Sequence, residues 1–598
     1  MTRPDPLPTL PAFIAERLSV PRAIALAERH GGTTRALSSG DVHRRASAIA
    51  CALRARGIER GDRVAILSEN CVDWLVADFG ILYAGAVVVP MFATSAQDQI
   101  AYIFANSETK FAFVENAGAA AHVREAVPAP PPLVSFAGDT ELGIEALVAE
   151  GEALLDADPS QLATFTAQTA LDDLAVLIYT SGTTGTPKGV MLSHRNLSSN
   201  VHDAFDPDLS DLKEGESALS VLPFAHIFEH TDALGYLYNL ATIYVTTPER
   251  LLEDLRAIRP SHVAFVPRIF ERLIAGIVGN ARVQGGVKAK LVPWAIEAGV
   301  AYERALRDGF VNPVLRVQNA LAQALVLKRI KPALGLDRLG YFVSGSAPLH
   351  RDTALALAAL GLPVCEGYGL TETSPVVTVN RPSNVKLGTV GTPIRNVEVK
   401  IAHDGEILVK GPNVMLGYYQ LPPAEQPFTA DGFFQTGDIG RFDGEHLVIT
   451  DRKKELFKSS GGKWISPSRI ETAIKRSIYV GQVMAFGDDK PHPAVLVAPN
   501  WDLIRKELEL GAMTTAAMAT DDRVRTLVIR EVETHTADLA AFEQVRRVAL
   551  LPRDLTIEDD ELSPTLKVKR RVVERRYAAL IEQAYTEDLH QRNALLHV

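Results

Sequence analysis

The amino-acid sequence predicts an α/β protein whose layered helices and strands give way to a β-rich region and then to a helical, charged tail. Short apolar runs alternate with helical periodicity from about residue 35 to residue 450, a pattern typical of α/β layers. From Gly405 onward, strand-like segments separated by Gly turns replace this alternation. From about residue 505 the sequence is helical and charged.

The apolar runs have the length and composition of buried strands, and amphipathic stretches such as 98–105 and 251–257 lie between them. The most apolar stretch, residues 79–94, is too short and too rich in Gly and Pro for a membrane span. We therefore expect a buried helix and strand there. Buried strands are predicted at 63–67, 86–90, 111–115, 174–179, 262–267 and 340–345.

Composition indicates a globular protein and excludes several classes of function. With 598 residues, of which 47% are apolar and 22% charged, we expect two or more domains with a large core. The formal net charge of −10 argues against nucleic-acid binding through a basic surface. The three cysteines form no Cys-x-x-Cys pair, and the first residues lack the pattern of a signal peptide. We expect a cytoplasmic protein without a transmembrane segment, in which any membrane contact is peripheral.

The strongest chemical signal is the segment Tyr179-Thr-Ser-Gly-Thr-Thr-Gly-Thr-Pro-Lys188-Gly-Val, which follows an apolar strand. Its glycines let backbone N–H groups close around an anion, its hydroxyls add donors, and Lys188 adds charge. This combination predicts a triphosphate site. The segment is not a Walker A loop, because Pro187 stands where that motif requires Gly and the following VMLSH is strand-like.

This segment resembles the phosphate loop of the adenylate-forming superfamily, which includes acyl-CoA ligases, luciferases and the adenylation domains of peptide synthetases. Other motifs of that family follow in the same order. Glu366-Gly-Tyr-Gly-Leu-Thr-Glu-Thr resembles the adenine and magnesium segment, and Thr436-Gly-Asp resembles the ribose segment. Asp451-Arg-Lys-Lys-Glu resembles the interdomain hinge, and Pro564-Thr-Leu-Lys resembles the segment with the catalytic lysine.

The resemblance assigns the nucleotide to residues from several motifs. Tyr368 can stack on the base, Thr371 can bind a phosphate, and Glu372 offers a carboxylate to Mg²⁺. Without its neighbours, GYGLTET would be an ordinary turn with a capping residue. The implied ATP-binding residues are Thr180, Ser181, Gly182, Thr183, Thr184, Gly185, Lys188, Gly345, Ser346, Glu366, Gly367, Tyr368, Gly369, Thr371, Asp438 and Arg452.

The resemblance also implies a two-domain architecture. Residues 1–450 would form a large adenylation domain of layered α/β subdomains plus a β-rich subdomain. Residues 451–598 would form a small, mobile α+β domain that turns about Asp451. This small domain would contain the catalytic lysine and the surface that faces coenzyme A, at Gly462 and Lys463.

The implied reaction has two steps. In the first, a carboxylate attacks the α-phosphate of ATP, which makes an acyl-adenylate and releases pyrophosphate. Lys188 would hold the β and γ phosphates, Glu372 would bind Mg²⁺, and Lys567 would clamp carboxylate and α-phosphate oxygens together. In the second step the thiol of coenzyme A takes the acyl group and AMP departs.

The segment from His226 to His230 reads H-x-x-E-H, the inverted form of a zinc-hydrolase motif. Two histidines four residues apart can share a helix face and bind zinc, but no third ligand is identifiable in the sequence. The resembling family has a similar segment beside its acyl pocket. We therefore assign His226 to the acyl pocket, with a packed histidine as the alternative, and assign no role to His230.

The sequence after Arg268 favours a long-chain fatty acid as the substrate. About 70 mostly helical residues follow it, as in long-chain fatty acyl-CoA ligases. The expected substrates are a fatty acid, ATP and coenzyme A, bound by a cytosolic enzyme that meets its lipid at a membrane surface. Two alternatives stay open: an acyl-AMP ligase that loads an acyl carrier protein, and a sensor of fatty acid or nucleotide. The sequence leaves the oligomeric state open.

Overall fold

The computed structural model describes residues 7–180, 187–205, 212–453, 455–556, 559–562 and 568–586. The chain divides into two compact units. The first comprises Met1–Thr436 and Arg441–Val448, and the second comprises Gly437–Gly440 and Ile449–Val598. This α/β architecture, with a large and a small unit, is the predicted fold class. The assignment of separate functions to the two parts of the chain stays a prediction.

Two large sheets organise the first unit. One contains, in spatial order, the described strands Thr392–Pro393, Val376–Val379, Val364–Gly369, Phe342–Ser344, His262–Phe265, Ser217–Ser220, Thr242–Val245, Leu26–His30 and Thr33–Leu37. The other contains Gly417–Tyr418, Lys188–Ser193, Leu174–Thr180, Val87–Met91, Arg63–Leu67, Phe111–Val114 and Leu133–Ser135. Every buried strand that the sequence predicted is present, within two residues at each end. The strand at 262–267 stops at Phe265 because Pro267 begins a helix, a position that suits proline.

An apolar helix lies between these two sheets. The helix Val72–Tyr83 is buried along its whole length and contacts Leu26–His30 of one sheet and Val87–Met91 of the other. The predicted buried helix and strand within residues 79–94 are thereby confirmed. Other helices of this unit are Leu10–Ser19, Ser39–Ala55, Gln97–Ser107, Ala117–Ala126, Ile144–Ala157, Gln161–Ala167, His194–Ala204, Ile227–Tyr238, Leu251–Ile258 and Arg351–Ala359.

The predicted helical segment after Arg268 is present as a series of consecutive helices. They are Pro267–Gln284, Gly286–Arg307, Pro313–Ala322 and Lys328–Ala333, and a π-helical turn at Gln323–Leu327 joins the last two. The β-rich region is a separate sheet of Glu398–Ile401, Glu406–Lys410, Phe434–Asp443 and His446–Arg452. None of the described helices is long and apolar enough to cross a bilayer.

The second unit corrects one expectation. The sequence predicts helices beyond residue 505, yet Arg547–Leu550 is a strand. It pairs in parallel with Ala494–Pro499, whose other edge pairs antiparallel with Val480–Phe486. The strand is set by its long-range pairing with Ala494–Pro499, which overrides the helical pattern of the sequence on either side of it. The helices here are Pro467–Ile474, Trp501–Glu507, Thr515–Thr520, Asp522–Thr536, Arg570–Arg576 and Ala578–Thr586.

Candidate active site

The predicted phosphate loop connects two paired strands in the sequence. Leu174–Thr180 and Lys188–Ser193 pair antiparallel, with Thr180 opposite Lys188, so these two predicted ATP-binding residues lie side by side. Lys188 opens a strand rather than a helix, as the sequence predicted, which separates this loop from a Walker A motif. The loop residues assigned to ATP, Ser181, Gly182, Thr183, Thr184 and Gly185, lie outside the described residues.

Tyr418 joins Lys188 to Glu372. The Lys188 ammonium lies 4.9 Å from the centre of the Tyr418 ring, within the range of a cation–π contact. The Tyr418 hydroxyl donates a hydrogen bond of 2.7 Å to Oε1 of Glu372. Two of the predicted catalytic residues, 184 positions apart in the sequence, are therefore linked by one phenol. The sequence alone does not reveal the role of Tyr418, because no spacing in the chain connects it to either partner.

Backbone contacts hold this arrangement in place. The short strand Gly417–Tyr418 pairs with Lys188–Ser193, so Tyr418 lies opposite Val190. Just before it, the Met415 N–H donates to the Glu372 carbonyl at 2.9 Å. The Asn413 amide donates to the Thr373 carbonyl at 3.0 Å. The segment 413–418 thus fixes the backbone of Glu372 and the strand of Lys188 at the same time.

Glycines allow close backbone approach in the predicted adenine segment. A Cβ atom at Gly369 would lie 1.8 Å from the Pro375 carbonyl oxygen, so only Gly fits there. At Gly345 the added atom would lie 3.2 Å from the Phe228 ring, and Ser346 has a φ of +70°. Gly367 and Tyr368 belong to the same strand, with Tyr368 only 8% exposed. Base stacking by Tyr368 and phosphate binding by Thr371 stay predictions.

Glu366 connects the predicted adenine segment to the loop that contains Gly345. It lies opposite Ser344 in the sheet, and its carboxylate accepts a hydrogen bond of 3.3 Å from the Leu349 N–H. Burial raises the pKa of Glu366 to about 7, against a smaller opposing effect of that hydrogen bond. The buried Glu366 side chain therefore stabilises the loop between Ser344 and Leu349 through this hydrogen bond. Its contact with ATP stays a prediction.

The two histidines of the H-x-x-E-H segment have different surroundings. His226 is the half-buried N-cap of the helix Ile227–Tyr238, where its Nδ1 accepts a hydrogen bond from the Phe228 N–H at 3.2 Å. His230 is fully buried, 3.2 Å from the Asp78 carboxylate. The structure thus engages the two imidazoles differently, one as a helix cap and the other beside a buried carboxylate.

The remaining groups of this segment are packed inside the protein. Burial raises the pKa of Glu229, whose carboxylate accepts a hydrogen bond from the Leu222 N–H at 3.3 Å. The helix that His226 caps lies close to the predicted nucleotide segments, because Phe228 contacts Gly345 and the Thr231 hydroxyl donates to the Ser374 carbonyl at 3.1 Å. This placement suits the predicted acyl-pocket role of His226.

In the second unit, Arg452 and Asp438 meet. The Arg452 Nε donates to Oδ1 of Asp438 at 2.9 Å, and the Asp438 side chain is buried while Arg452 is exposed. The structure thus brings together the two residues that the resemblance assigned to the ribose. The adjacent Asp451 accepts a hydrogen bond of 2.5 Å from the Ser466 hydroxyl. Burial raises the pKa of Asp451, against smaller effects of its hydrogen bonds and of Arg469.

The segment predicted to face coenzyme A is a tight turn in the same unit. The Gly462 N–H donates to the Ser459 carbonyl at 2.8 Å, and Gly462 adopts a φ of +79°. The Ser459 N–H donates to the Lys463 carbonyl at 2.9 Å, which closes the turn. Lys567, the predicted catalytic lysine, lies outside the described residues.

The surroundings of Glu372 are compatible with the magnesium-binding role that the resemblance implies, and that role stays a prediction. It is half-buried, and the Tyr418 hydrogen bond engages one of its two carboxylate oxygens. Among the described residues, no three His, Cys, Asp or Glu side chains form a group that could hold a metal. A single carboxylate fits Mg²⁺, which commonly takes one or two protein carboxylates together with substrate phosphates and water.

Comparison with known proteins identifies the family. Residues 16–419 match the AMP-binding enzyme model, and residues 455–589 match the model of the AMP-binding enzyme C-terminal domain. The chain belongs to the AMP-binding enzyme family. Members of this family use ATP, and the AMP-forming ligases among them use coenzyme A as the acyl acceptor.

Curated members of the AMP-binding enzyme family resemble this chain over most of its length. It is 34% identical to the long-chain-fatty-acid–CoA ligase FadD15 of Mycobacterium bovis, over 90% of this chain and 91% of that protein. It is 30% identical to the peroxisomal long chain acyl-CoA synthetase 7 of Arabidopsis thaliana, over 92% of this chain and 82% of that protein.

Solved structures show that the family fold is shared. The adenylation domain of a carboxylate reductase from Mycobacterium chelonae superposes with a TM-score of 0.72 at 22% identity, over 97% of this chain and 91% of that domain. ATP-bound MatB from Rhodopseudomonas palustris superposes with a TM-score of 0.67 at 23% identity, over 95% of this chain and 99% of that one. At these identities the likeness concerns the fold alone.

Proposed function

We propose that this chain is an AMP-forming ligase that joins a long-chain fatty acid to coenzyme A. The contact of Tyr418 with both Lys188 and Glu372 is the observation that supports it most directly. It sets a cation for phosphate oxygens beside a carboxylate that suits Mg²⁺ at the end of a predicted phosphate loop. The long-chain acyl substrate follows from the two curated relatives named above. We also propose a cytoplasmic location.

The chemistry of the first step requires charge neutralisation and positioning. The fatty acid carboxylate attacks the α-phosphorus of ATP, a new O–P bond forms, and the bond to pyrophosphate breaks. Lys188 would neutralise the β and γ phosphate oxygens as charge develops on the leaving group. Magnesium, when bound at Glu372, would supply further neutralisation of those oxygens. Tyr418 would hold the Glu372 carboxylate in one orientation.

The acyl chain would enter near His226. This side chain is partly exposed, whereas its neighbours Phe228, Glu229 and His230 are buried. Phe228 also contacts Gly345 of the predicted adenine loop, so an acid bound beside His226 would lie near the nucleotide. Each methylene buried in an apolar tunnel contributes about 0.8 kcal/mol, or roughly fourfold in affinity, so turnover should rise with chain length until the tunnel ends.

The second step would follow the family pattern. The thiolate of coenzyme A attacks the acyl carbonyl, a C–S bond forms, and the C–O bond to AMP breaks. We propose that Lys567 acts in the first step only, and that Gly462 and Lys463 face coenzyme A in the second. Asp451, which begins the hinge motif, would be where the chain bends between the two steps.

A panel of acids tests the proposal directly. Acetate, benzoate and saturated acids of increasing length are supplied with ATP and Mg²⁺, and the release of AMP and pyrophosphate is followed with and without coenzyme A. Palmitate should exceed acetate and benzoate in kcat/KM, with AMP as the nucleotide product and acyl-CoA as the thioester. ADP as the product would exclude adenylation. Acyl transfer to a phosphopantetheinyl carrier protein but not to coenzyme A would favour the acyl-AMP ligase alternative.

A further inference from the structure

The helix Pro313–Ala322 turns an apolar face toward solvent. Phe310, Val314, Val317, Leu321 and Leu325, here called the apolar stripe, are each between 47% and 75% exposed. In this fully described ten-residue helix, only Ala322 is buried. Large apolar side chains that cluster on a surface indicate a binding site, whereas isolated ones are ordinary.

The spacing of the stripe shows that it is one face. Val314, Val317 and Leu321 follow one another at three and four residues, which places them on the same side of an α-helix. Leu325 comes four residues later, in the π turn that continues the helix, and Phe310 precedes its first turn. Ala322 and Val326, which are buried, mark a different side. The helix is therefore packed through one side and exposes a second, apolar side.

Basic residues are concentrated in the part of the sequence that contains the stripe. Residues 282–331, which span this helix and its neighbour in the chain, contain nine Lys and Arg against three Asp and Glu, for a net charge of +6. The whole chain has a net charge of −10, so the charge of this segment is opposite in sign to that of the chain. Arg316, Lys328 and Arg329 lie within or next to the stripe in sequence, and all three are exposed.

We propose that the apolar stripe docks onto the surface of an anionic lipid bilayer. An exposed helical face of large apolar residues with Lys and Arg at its sides is the pattern of a helix that lies in the membrane interface. The apolar side chains insert at the boundary of the acyl chains, and the basic side chains meet lipid phosphates. A second copy of this chain fits less well, because two such faces would bring their like charges together. This docking needs no turnover, so it stands apart from the proposed ligase activity.

Vesicle flotation tests the proposal. The full-length protein is mixed with phosphatidylcholine vesicles, or with vesicles of equal parts phosphatidylcholine and phosphatidylglycerol, and the floated fraction is measured. The wild type should float mainly with the anionic vesicles, and added salt should weaken its binding. The double variant Val317→Asp/Leu321→Asp should bind at least about tenfold more weakly. Arg316→Gln and Lys328→Gln should each weaken binding to anionic vesicles about fivefold.

Matched controls separate docking from general effects. Ile478→Asp changes an equally exposed apolar residue in the other unit and should leave flotation unchanged. Ligase activity on a dispersed medium-chain acid, measured without vesicles, should be retained in the double variant, which shows that it folds. Binding that is equal on neutral and anionic vesicles, or equal for wild type and double variant, would overturn the proposal. The proposal would also be overturned if the wild type failed to float and light scattering showed that the wild type is a dimer while the double variant is a monomer.

Discussion

The Tyr418 hydroxyl donates a hydrogen bond of 2.7 Å to the Glu372 carboxylate. The same ring lies under the ammonium of Lys188, with 4.9 Å between the nitrogen and the ring centre. An anion that Mg²⁺ favours and a cation that phosphate favours are thus held on two sides of one phenol. We therefore expect Tyr418 to position both charges in the proposed adenylation step.

Replacement of Tyr418 by phenylalanine tests this positioning. Tyr418→Phe keeps the ring under Lys188 but removes the hydrogen bond to Glu372. Since a hydrogen bond to a charged group is worth about 1.5–3 kcal/mol, we expect acyl-AMP formation to fall roughly ten- to a hundredfold. The Mg²⁺ concentration needed for half-maximal ATP–pyrophosphate exchange should rise. Tyr419→Phe is the control and should behave as wild type, and an unchanged Mg²⁺ requirement in Tyr418→Phe would contradict the role.

Substitution of His226 should affect the acid more than the nucleotide. His226→Ala enlarges the predicted acyl pocket and removes the N-cap acceptor of the helix Ile227–Tyr238. His226→Asn retains a cap, so a difference between the two variants reports the cap, which is worth about 0.5–2 kcal/mol. In both variants the KM for palmitate should rise several-fold while the KM for ATP changes little. Equal increases in both KM values would argue against the acyl pocket.

Removal of Lys567 should separate the two half-reactions. Loss of one aimed donor at a developing negative charge typically costs about a hundred- to a thousandfold in rate. Lys567→Ala should therefore nearly abolish acyl-AMP formation from fatty acid and ATP. Given presynthesised acyl-AMP and coenzyme A, the same variant should make the thioester at a near-normal rate. Equal slowing of both half-reactions would show that the lysine serves folding or both chemistries.

Stiffening of the predicted hinge should give the opposite result. Proline fixes φ, so Asp451→Pro should allow acyl-AMP to form while thioester formation lags. The substitution also removes the hydrogen bond from the Ser466 hydroxyl. Asp451→Ala removes that hydrogen bond without fixing φ, and it should retain more of the second half-reaction. Rapid-quench measurement of acyl-AMP and acyl-CoA distinguishes the steps, and a hinge role is excluded if Asp451→Pro performs both steps at the wild-type rate.

Glu366 should make the stability of the ligand-free protein depend on pH. Burial raises its folded-state pKa to about 7, from an ordinary value of 4.5. Between these values the folded state keeps a proton that the unfolded state has lost, so the free energy of unfolding falls as the pH rises from 4.5 to 7. Above pH 7 this effect is constant. At full strength the loss is about 3 kcal/mol.

The variant Glu366→Gln can still accept the hydrogen bond from the Leu349 N–H but has no proton to lose. Its decline in stability over that pH range should therefore be smaller than that of the wild type. Denaturant unfolding at several pH values, with both proteins compared at each, measures the difference. A difference that stays constant with pH would show that Glu366 titrates near its ordinary value.

Local patterns in the sequence were sufficient for the main strands, whereas most candidate site residues follow from the family resemblance and stay predictions. The strand before the phosphate loop and the strand that starts at Lys188 follow from apolar runs of the right length, and such runs depend only on neighbouring residues. Pairs of predicted site residues also meet in the structure, as Thr180 does with Lys188 and Arg452 with Asp438. The strand Arg547–Leu550 was not predicted because helical patterns flank it and its pairing with Ala494–Pro499 is a long-range contact.

Only the tertiary structure shows which residues meet across the fold and which faces of helices and strands are covered by other elements. Tyr418 meets Glu372 only because a two-residue strand pairs beside Lys188, and nothing local to residue 418 encodes that pairing. His226 and His230 are equivalent in the motif, yet packing leaves the first half-exposed and places the second against Asp78. The exposure of the apolar stripe on Pro313–Ala322 is likewise decided by packing. A helical pattern shows which residues share a face, whereas only the packing of other elements determines whether that face is buried or meets solvent.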